Sequence, residues 1–395
     1  MGGFLNFINS TCREEIVMLG PYRAKKDKTI TYKGNKIFPK QDKIDALAFS
    51  VDEARDRVVA MSKESMWGKI ARINHRINKS ANDFFDEMNS LFIPLPLTTR
   101  MISSPGAVYG KEKINYTTDT CPITLKWFDH PQNFFLSESS QIYLELSLVQ
   151  EGVDHVYSIY NSFRKEEADI THLSEFHHIE YEGKVSQVEN KKIILRFLSR
   201  IIKDLLTHEE KSLRCFLTDE SFNELIDFES KIKSVPQITF QDALDCLYAE
   251  TKDDIYKKFT MCGNFGSWEE VKLTEIFSNL VIIEEYPLLE VPFYHAQIEG
   301  KPEVANNADI IWPGYREIIG SGQRITSIDE LDQKADIFNL PREDYSPYLL
   351  SRRLDTYTQT SGFGLGWERL LQGLLEMPSI WSVAQFPRTN FTLFP

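Results

Sequence analysis

Apolar residues recur at helical spacing between residues 65 and 90, in the run SMWGKIARINHRINKSANDFFDEMNSLF. The period of about 3.6 residues is carried by Ile70, Ile73, Ile77, Phe84 and Phe85. Such a stripe predicts an amphipathic helix with one face on the protein core. The next segment, FIPLPLTTRMIS, has two prolines two residues apart, so it is predicted to be extended.

Alternation of apolar and polar residues with period two predicts strands further along the chain. HVYSIYNSFRKEE and EFHHIEYEGK alternate in this way and are joined by a charged loop over residues 165–174. Before them, FFLSESSQIYLELSLVQEG indicates a short strand and a helix that Gly152 could end. Strand patterns return in LVIIEEYP, PFYHAQ and NADIIWPGYREIIGSGQR.

Helical patterns cover residues 188–212, 218–232 and about 366–377, and the first of these has an apolar stripe typical of a core-facing helix. Strands flanked by helices, with hairpin-like rather than βαβ spacing, predict an α/β (α+β) fold with an antiparallel sheet. No long Pro/Gly/Ser-rich linker interrupts the pattern, so residues 65–395 are predicted to form one main domain. Residues 1–64 are expected to be an N-terminal extension, irregular over 23–43 and not a five-stranded barrel.

Composition adds that the chain resembles a soluble globular protein, since 42% of its 395 residues are hydrophobic and 26% are charged. No apolar run approaches the roughly 18–20 residues that would span a bilayer, and the start MGGFLNFINSTCREE does not resemble a secretory signal. Five cysteines are scattered singly, which favours reduced thiols in the cytoplasm. We therefore expect a cytoplasmic protein with no membrane partner.

The formal net charge is −13, and the longest basic cluster is RAKKDK at residues 23–28. Phosphate neutralisation dominates nucleic-acid affinity, so most nucleic-acid-binding proteins carry a basic stripe. The charge pattern thus predicts that RNA is an unlikely partner, although a local patch could escape a count over the whole chain.

Three glycines, Gly362, Gly364 and Gly366, lead directly into the helical run WERLLQGLL. Their spacing is not that of a dinucleotide-binding loop or a P-loop. Small residues that allow close packing of a strand against the following helix are the simpler interpretation. That interpretation does not explain Arg369, which lies one turn inside an otherwise apolar helix.

A second cluster lies in NSFRKEEADITHLSEFHHIEYEG. Arg164 and Glu166 are two residues apart and so share one face of a strand, and Phe176 and Glu180 follow on the returning strand. An arginine suits an α-phosphate, a glutamate can accept from an exocyclic amine, and a phenyl ring can stack on a purine. The alternative is a surface hairpin with ordinary ion pairs.

A third cluster lies in NNADIIWPGYREIIGSGQR. Asp309 and Glu317 are carboxylates on consecutive predicted strands, and hard oxygen ligands of this kind suit magnesium on a triphosphate. Arg324 follows a Gly-Ser-Gly turn and could hold a substrate carboxylate. Each cluster alone is a weak signal, because short motifs often mislead.

Taken together and in this order, the clusters resemble the class II aminoacyl-tRNA synthetases, most closely the aspartyl/asparaginyl branch. FRKEEADITHLSEF is similar to motif 2 of that branch, GFGLGWERL to motif 3, FPRTNFTLFP to its usual ending, and FLSESSQIYLE to its substrate-binding segment. The resemblance covers roughly residues 65–395. It implies a six- or seven-stranded antiparallel sheet flanked by helices, a homodimer, and the cofactors ATP and Mg²⁺.

Carried over position by position, the resemblance implies an ATP site of Arg164, Glu166, His172, Phe176, Glu317, Gly366 and Arg369. Arg164 would bind the α-phosphate, Glu166 the adenine amine, Phe176 the adenine ring, Arg369 the γ-phosphate and His172 the outer phosphates. Ser137, Gln141, Glu180 and Arg324 would bind the acyl substrate, while Asp309 and Glu317 would carry magnesium. Arg164, Arg369 and Glu317 would be catalytic.

Several positions depart from the pattern of this branch. The segment at 102–110 lacks the glutamate of the family's flipping loop, and Thr171 replaces an arginine that usually precedes the loop histidine. Val291, Leu354 and Thr360 replace residues that are commonly basic or histidine. No anticodon-binding barrel is recognisable before residue 65.

These departures make a free-standing relative of the archaeal asparagine synthetase type the leading hypothesis. It would activate aspartate, asparagine or an analogue as an acyl-adenylate and transfer the acyl group to ammonia or another amine, with tRNA an unlikely partner. Two alternatives stay open: an asparagine–tRNA ligase of reduced form, and a non-catalytic nucleotide-binding regulatory protein.

Overall fold

The computed structural model describes residues 51–110, 121–166 and 169–390, and before them the backbone of four strands. These strands are β1 (Glu15–Leu19), β2 (Tyr22–Lys25), β3 (Ile30–Tyr32) and β4 (Asn35–Phe38), paired antiparallel in chain order. The predicted irregularity over 23–43 is therefore wrong where the chain is described. Strands of three to five residues offer too few positions for a period-two pattern to show. The boundary at residue 64 and the absence of a five-stranded barrel stay predictions.

The remaining strands are β5 (Leu91–Phe92), β6 (Thr98–Thr99), β7 (Thr124–Leu125), β8 (Phe134–Leu136), β9 (His155–Phe163), β10 (Glu175–Gly183), β11 (Gln237–Thr239), β12 (Val281–Glu284), β13 (Gln297–Ile298), β14 (Lys301–Ala305), β15 (Asn307–Ile311), β16 (Glu317–Gln323) and β17 (Ser361–Gly366). The α-helices are α1 (Val51–Lys63), α2 (Ser65–Glu87), α3 (Gly106–Tyr109), α4 (Gln141–Ser147), α5 (Gln187–His208), α6 (Glu210–Leu213), α7 (Asp219–Ile226), α8 (Phe228–Lys233), α9 (Phe240–Thr251), α10 (Ser267–Phe277), α11 (Ile328–Ile337), α12 (Arg342–Ser351) and α13 (Trp367–Leu374). Short 3-10 turns cover Asp254–Lys257 and Ile380–Ser382.

The central sheet has eight strands in the order β11-β12-β15-β16-β17-β10-β9-β5. The six inner strands pair antiparallel, while β11 and β5 join the two edges in parallel. The predicted fold class is therefore confirmed, with two short edge strands beyond the expected antiparallel set. Such strands of two or three residues carry little sequence signal.

One face of the sheet is covered by the two longest helices, α2 and α5. The apolar stripe predicted for α2 is buried, and the rings of Phe85 and Phe197 lie 5.0 Å apart where the helices meet. Ile179 and Tyr181 of β10 belong to this core, since both are fully buried within the same apolar cluster. Because side chains alternate along a strand, the residues between and beside them face the opposite side of the sheet.

Two other segments refine the predictions. PFYHAQ is not the predicted strand, because the amide of His295 donates to the carbonyl oxygen of Pro292 in a turn, and only Gln297 enters a strand. The aromatic residues of this segment are buried because they pack against α11 and α12. An apolar pattern with period two does not distinguish this kind of burial from burial within a sheet. The last five residues of FPRTNFTLFP, 391–395, lie outside the described residues.

Among the helices that the structure describes, none combines the length and apolarity needed to cross a membrane.

Candidate active site

A cavity of about 280 Å³ lies on the face of the sheet opposite α2 and α5. Its lining includes Gly320 of β16 and, opposite it, Gly364 of β17, while Gly322 lies opposite Gly362 further along the same strands. A Cβ atom at Gly362 would collide with Glu182 Oε2. The glycines therefore let large polar side chains lie flat against the sheet, and the side-chain neighbours of Gly362 and Gly364 belong to Glu182, Gln141 and Glu180 rather than to the following helix that the close-packing interpretation predicted.

One end of the cavity contains Arg164 and Phe176, from the β9–β10 hairpin. The guanidinium carbon of Arg164 lies 5.1 Å from the centre of the Phe176 ring, and Arg164 Nη1 lies 3.9 Å from Glu166 Oε1. Glu166 Oε1 is buried and has no hydrogen-bond partner among the described residues. A cation, an aromatic face and a carboxylate acceptor thus lie together as the sequence predicted.

Arg369 approaches the same end from the first turn of α13, which follows the cavity-lining Gly366. Its Nη1 donates to the carbonyl oxygen of Glu317 at 2.9 Å. Burial, followed by the positive charge of Arg316, lowers the pKa of Arg369. A polyanionic ligand would reduce the repulsion between these two cations.

Two carboxylates converge between β15 and β16. A Cβ atom at Gly320 would lie 2.8 Å from Glu317 Oε1 and 3.6 Å from Asp309 Oδ1, so both side chains surround this glycine. Burial, and then the neighbouring Glu317, hold the pKa of Asp309 well above its usual range. Glu270 accepts hydrogen bonds from the Glu317 amide at 3.0 Å and from Arg316 Nε at 3.4 Å.

The described part of the chain has no group of three or more metal-ligating side chains that could hold an ion by itself. Magnesium, however, is usually held by one or two carboxylates together with substrate phosphates and water. Asp309 and Glu317 fit that arrangement, because they supply two hard oxygen donors beside Arg164 and Arg369.

His172 lies at the mouth of this end, in the loop between β9 and β10. Its Nδ1 is 2.8 Å from Asp169 Oδ1, and its Nε2 accepts from Arg316 Nη1 at 2.9 Å. Burial raises the pKa of Asp169, but His172, the amide of Thr171 and Arg316 together lower it to about 2. The loop histidine is therefore held by a carboxylate on one side and a guanidinium on the other.

The other end of the cavity contains Arg324, which follows β16. Its Nε donates to Glu182 Oε1 at 3.0 Å and its Nη2 to Glu182 Oε2 at 2.7 Å. Gln141 Nε2 donates to the same Oε2 at 2.6 Å. The Arg324 and Glu182 side chains are 2% and 0% exposed, so the charge of this arginine is balanced inside the protein.

Glu180 lies between the two ends on β10. Its Oε1 accepts from Ser139 Oγ at 2.8 Å, while its Oε2 is buried with no hydrogen-bond partner among the described residues. Burial raises the pKa of Glu180 to about 7, against the opposing effect of the donors Tyr160 and Ser139. Ser137 instead donates to the carbonyl oxygen of Ser139 within a buried turn, so Ser139 takes the cavity position that was predicted for Ser137.

Sequence reasoning missed several cavity residues. The structure adds Ser139, Arg316 and His295 to the cavity lining, with Glu182 and Glu270 as the partners of Arg324 and Arg316. Glu182 could have been found, because it lies two residues after Glu180 and so shares its strand face. The other four residues lie in turns or on α10, where spacing along the chain carries no signal. The predicted residues therefore lie around one cavity, apart from Ser137, and their catalytic roles stay predictions.

Residues 52–390 match the family described as tRNA synthetases class II (D, K and N). The chain belongs to this family. Class II synthetases use ATP and Mg²⁺, so both cofactors are those expected from the site. The chain is thus an ATP-dependent ligase of the aminoacyl-tRNA synthetase type.

The similar proteins include asparaginyl-tRNA synthetases and, at 20% identity or less, aspartyl-tRNA synthetases that share the fold. An asparagine–tRNA ligase of Koribacter versatilis is 29% identical over 330 residues, which cover 82% of this chain and 70% of that protein. The crystal structure of asparaginyl-tRNA synthetase from Pyrococcus horikoshii complexed with asparaginyl-adenylate is 25% identical with a TM-score of 0.72, covering 93% of this chain and 78% of that one. The Entamoeba histolytica asparaginyl-tRNA synthetase in complex with asparaginyl-adenylate shares the fold, at 20% identity and a TM-score of 0.71, over 91% of this chain and 77% of that one.

These relatives overturn one prediction. The expectation that tRNA is an unlikely partner is wrong, because the similar proteins include asparagine–tRNA ligases. The net charge of −13 misled because it sums the whole surface, whereas a tRNA contacts only part of it. The homodimer stays a prediction.

Proposed function

We propose that this protein is an asparagine–tRNA ligase, which activates asparagine with ATP and transfers it to tRNA. The observation that carries the proposal is the balanced charge at the Arg324 end of the cavity. Arg324 would otherwise attract a carboxylate side chain, but Glu182 already binds it in a bidentate pair. A neutral side-chain amide can hydrogen-bond there without adding a buried charge.

Glu180 supports the same choice of substrate. Its Oε2 is buried and lacks a partner among the described residues, so it can accept from a substrate N–H group. Asparagine brings such donors in its side-chain amide and α-ammonium groups. Aspartate would instead place its side-chain carboxylate near those of Glu180 and Glu182, which like-charge repulsion disfavours.

The chemistry required is attack of the asparagine carboxylate on the α-phosphorus of ATP, with pyrophosphate leaving. Such a step depends mostly on alignment and charge neutralisation. Arg164 would hold the α-phosphate and Arg369 the outer phosphates, while Phe176 and Glu166 would orient the adenine. Magnesium bound at Asp309 and Glu317 would neutralise phosphate charge. No covalent protein nucleophile is required.

The test is aminoacylation of total tRNA with labelled asparagine or aspartate, alongside ATP–pyrophosphate exchange with each amino acid. The proposal predicts exchange and charging with asparagine, and at least about tenfold lower kcat/KM with aspartate. Exchange without charging would contradict the transfer step. ATP binding without exchange would contradict the enzymatic assignment altogether.

A further inference from the structure

Arg316 lies in the turn that connects β15 to β16, directly before the magnesium-site residue Glu317. Its side chain is only 14% exposed and crosses to the β9–β10 loop. There Nη1 donates to His172 Nε2 at 2.9 Å and lies 3.4 Å from Thr171 Oγ1. On the sheet side, Nε donates to Glu270 Oε2 at 3.4 Å. Arg316 therefore connects the loop to the carboxylate end of the cavity.

The tautomer of His172 follows from these contacts. A guanidinium can only donate, so His172 accepts on Nε2 and carries its proton on Nδ1. That proton is directed to Asp169 Oδ1, 2.8 Å away. Both ring nitrogens are thus occupied by protein groups, and His172 has no N–H left to offer a phosphate. The group that His172 orients toward the cavity is the guanidinium of Arg316.

Three guanidiniums surround this end of the cavity. Arg164, Arg316 and Arg369 all line the cavity together with Glu317. Arg316 directly precedes Glu317 in the chain, and Arg369 Nη1 donates to the Glu317 carbonyl oxygen at 2.9 Å. Three cations around a carboxylate pair form a site for a ligand with several negative charges, held together with a metal ion.

The position of Arg316 also accounts for one departure in the sequence. Thr171 occupies a loop position where the aspartyl/asparaginyl branch usually has an arginine. Arg316 brings a guanidinium to within 3.4 Å of the Thr171 hydroxyl from a different element of the fold. The positive charge missing from the loop is thus supplied by the strand connection.

We infer that Arg316 is a binding residue for the β- and γ-phosphates of ATP, and that His172 is the residue that positions it. The inference rests on the proposed use of ATP and extends it, since sequence reasoning placed His172 itself on the outer phosphates. Arg164 and Arg369 then hold the triphosphate from the hairpin and from α13, and Arg316 holds it from the β15–β16 turn.

The test compares ligands that differ only in their outer phosphates. Affinities for ATP, AMP and pyrophosphate are measured with Mg²⁺ by calorimetry for wild type, Arg316→Met and Arg316→Lys. Arg353→Met, at an exposed arginine after α12, is the matched control. One charge-assisted contact corresponds to about a tenfold to hundredfold change in affinity. We expect a decrease of that size for ATP and pyrophosphate in Arg316→Met, less than about twofold for AMP, and partial recovery in Arg316→Lys.

Equal weakening of ATP and AMP would overturn the inference, because it would indicate a general distortion of the pocket. Unchanged ATP affinity in Arg316→Met would overturn it as well. A wild-type protein that binds no ATP would instead contradict the proposed function. Since this measurement needs neither asparagine nor tRNA, the two failures are distinguishable.

Discussion

The two ends of the cavity differ in how their charges are balanced. At the amino-acid end, Arg324 and Glu182 are joined by three hydrogen bonds, and the shortest is 2.7 Å. At the nucleotide end, the closest approach of Arg164 to Glu166 is 3.9 Å, and Arg369 donates to a backbone carbonyl rather than to a carboxylate. Glu317, at the start of β16, and Arg324, directly after its last residue, belong to opposite ends of the cavity.

This difference corresponds to the charge of the two substrates. A triphosphate and a metal ion bring their own large charges, so the protein groups that receive them can remain loosely paired until they bind. A neutral side-chain amide brings none, so the ions around it must already be paired to be stable when buried. The ion pair at one end and the separated arginines at the other thus predict different responses to mutation.

The largest effect is expected for Arg324→Ala, because it leaves the Glu182 carboxylate buried without its partner. Removal of one member of a buried pair costs about 3–5 kcal/mol in the free energy of unfolding. The KM for asparagine should rise while the affinity for ATP stays unchanged. Denaturant unfolding and ATP–pyrophosphate exchange measure the two effects.

The double variant Arg324→Ala with Glu182→Gln separates stability from binding. Removing the stranded carboxylate should restore most of the unfolding free energy without restoring the KM for asparagine. If ATP affinity falls as much as asparagine affinity, the assignment of the two ends is contradicted.

Arg369→Ala should lower kcat for asparagine-dependent pyrophosphate exchange by about 100- to 1000-fold, since removing a preorganised donor to developing charge costs ~2.7–4 kcal/mol. The free energy of unfolding should change by only about 1 kcal/mol, because the substitution removes a single hydrogen bond to the Glu317 carbonyl oxygen. Exchange kinetics and chemical denaturation check both parts. Unaltered pyrophosphate exchange would contradict the assignment of Arg369 to the active site.

Gly322→Ala should affect the amino-acid end alone, because the new methyl group would lie 2.9 Å from His295 Cε1. Overpacking of this kind costs about 1–3 kcal/mol. We expect a lower melting temperature and a higher KM for asparagine. Gly68→Ala is the control, since a Cβ atom at this exposed glycine of α2, away from the cavity lining, would meet nothing within 4 Å.

The smallest effect is expected from pH. Burial raises the pKa of Glu180 to about 7, so the carboxylate that accepts from asparagine becomes protonated as the pH falls below that value. The kcat/KM for asparagine should therefore fall up to about tenfold per pH unit below pH 7. Glu180→Gln should remove the step.

Glu138→Gln is the control for this profile. Burial also raises the pKa of Glu138 to about 7, but its Oε1 accepts from the Ser104 amide and the side chain does not belong to the described cavity lining. This variant should keep the pH step of the wild type. If the pH step disappears in Glu138→Gln and persists in Glu180→Gln, the assignment of the titration to Glu180 is contradicted.

Much of this arrangement could be predicted from the sequence, because strands with period-two alternation fix which residues share a face. Spacing alone places Phe176, Glu180 and Arg164 on one hairpin, and the hairpin register agrees. The glycines of β16 and β17 follow the same alternation, whereas Glu317 reaches Gly320 because the register of β15 and β16 shifts between Ile310 and Ile311.

The rest depended on contacts between distant segments. Arg316 meets His172 across 144 positions, and Glu270 meets the Glu317 amide across 47, so neither could be inferred from local spacing. The Ser137 assignment failed to locate the cavity hydroxyl because a turn, not a strand, decides which of the neighbouring serines faces Glu180. The tRNA prediction failed because a global charge was used to judge a local surface.

Ligand binding depends on the register between β16 and β17, because glycines of these strands leave the space that the cavity occupies. A slip of one residue between these strands would turn Gly320 or Gly364 away from the cavity and bring Ile319 or Phe363 toward it, since neighbouring positions face opposite sides. Partly folded molecules with such a slip would keep most of their secondary structure and still have no room for a nucleotide. Recovery of ATP binding during refolding would therefore report the moment at which the central strands reach their final pairing.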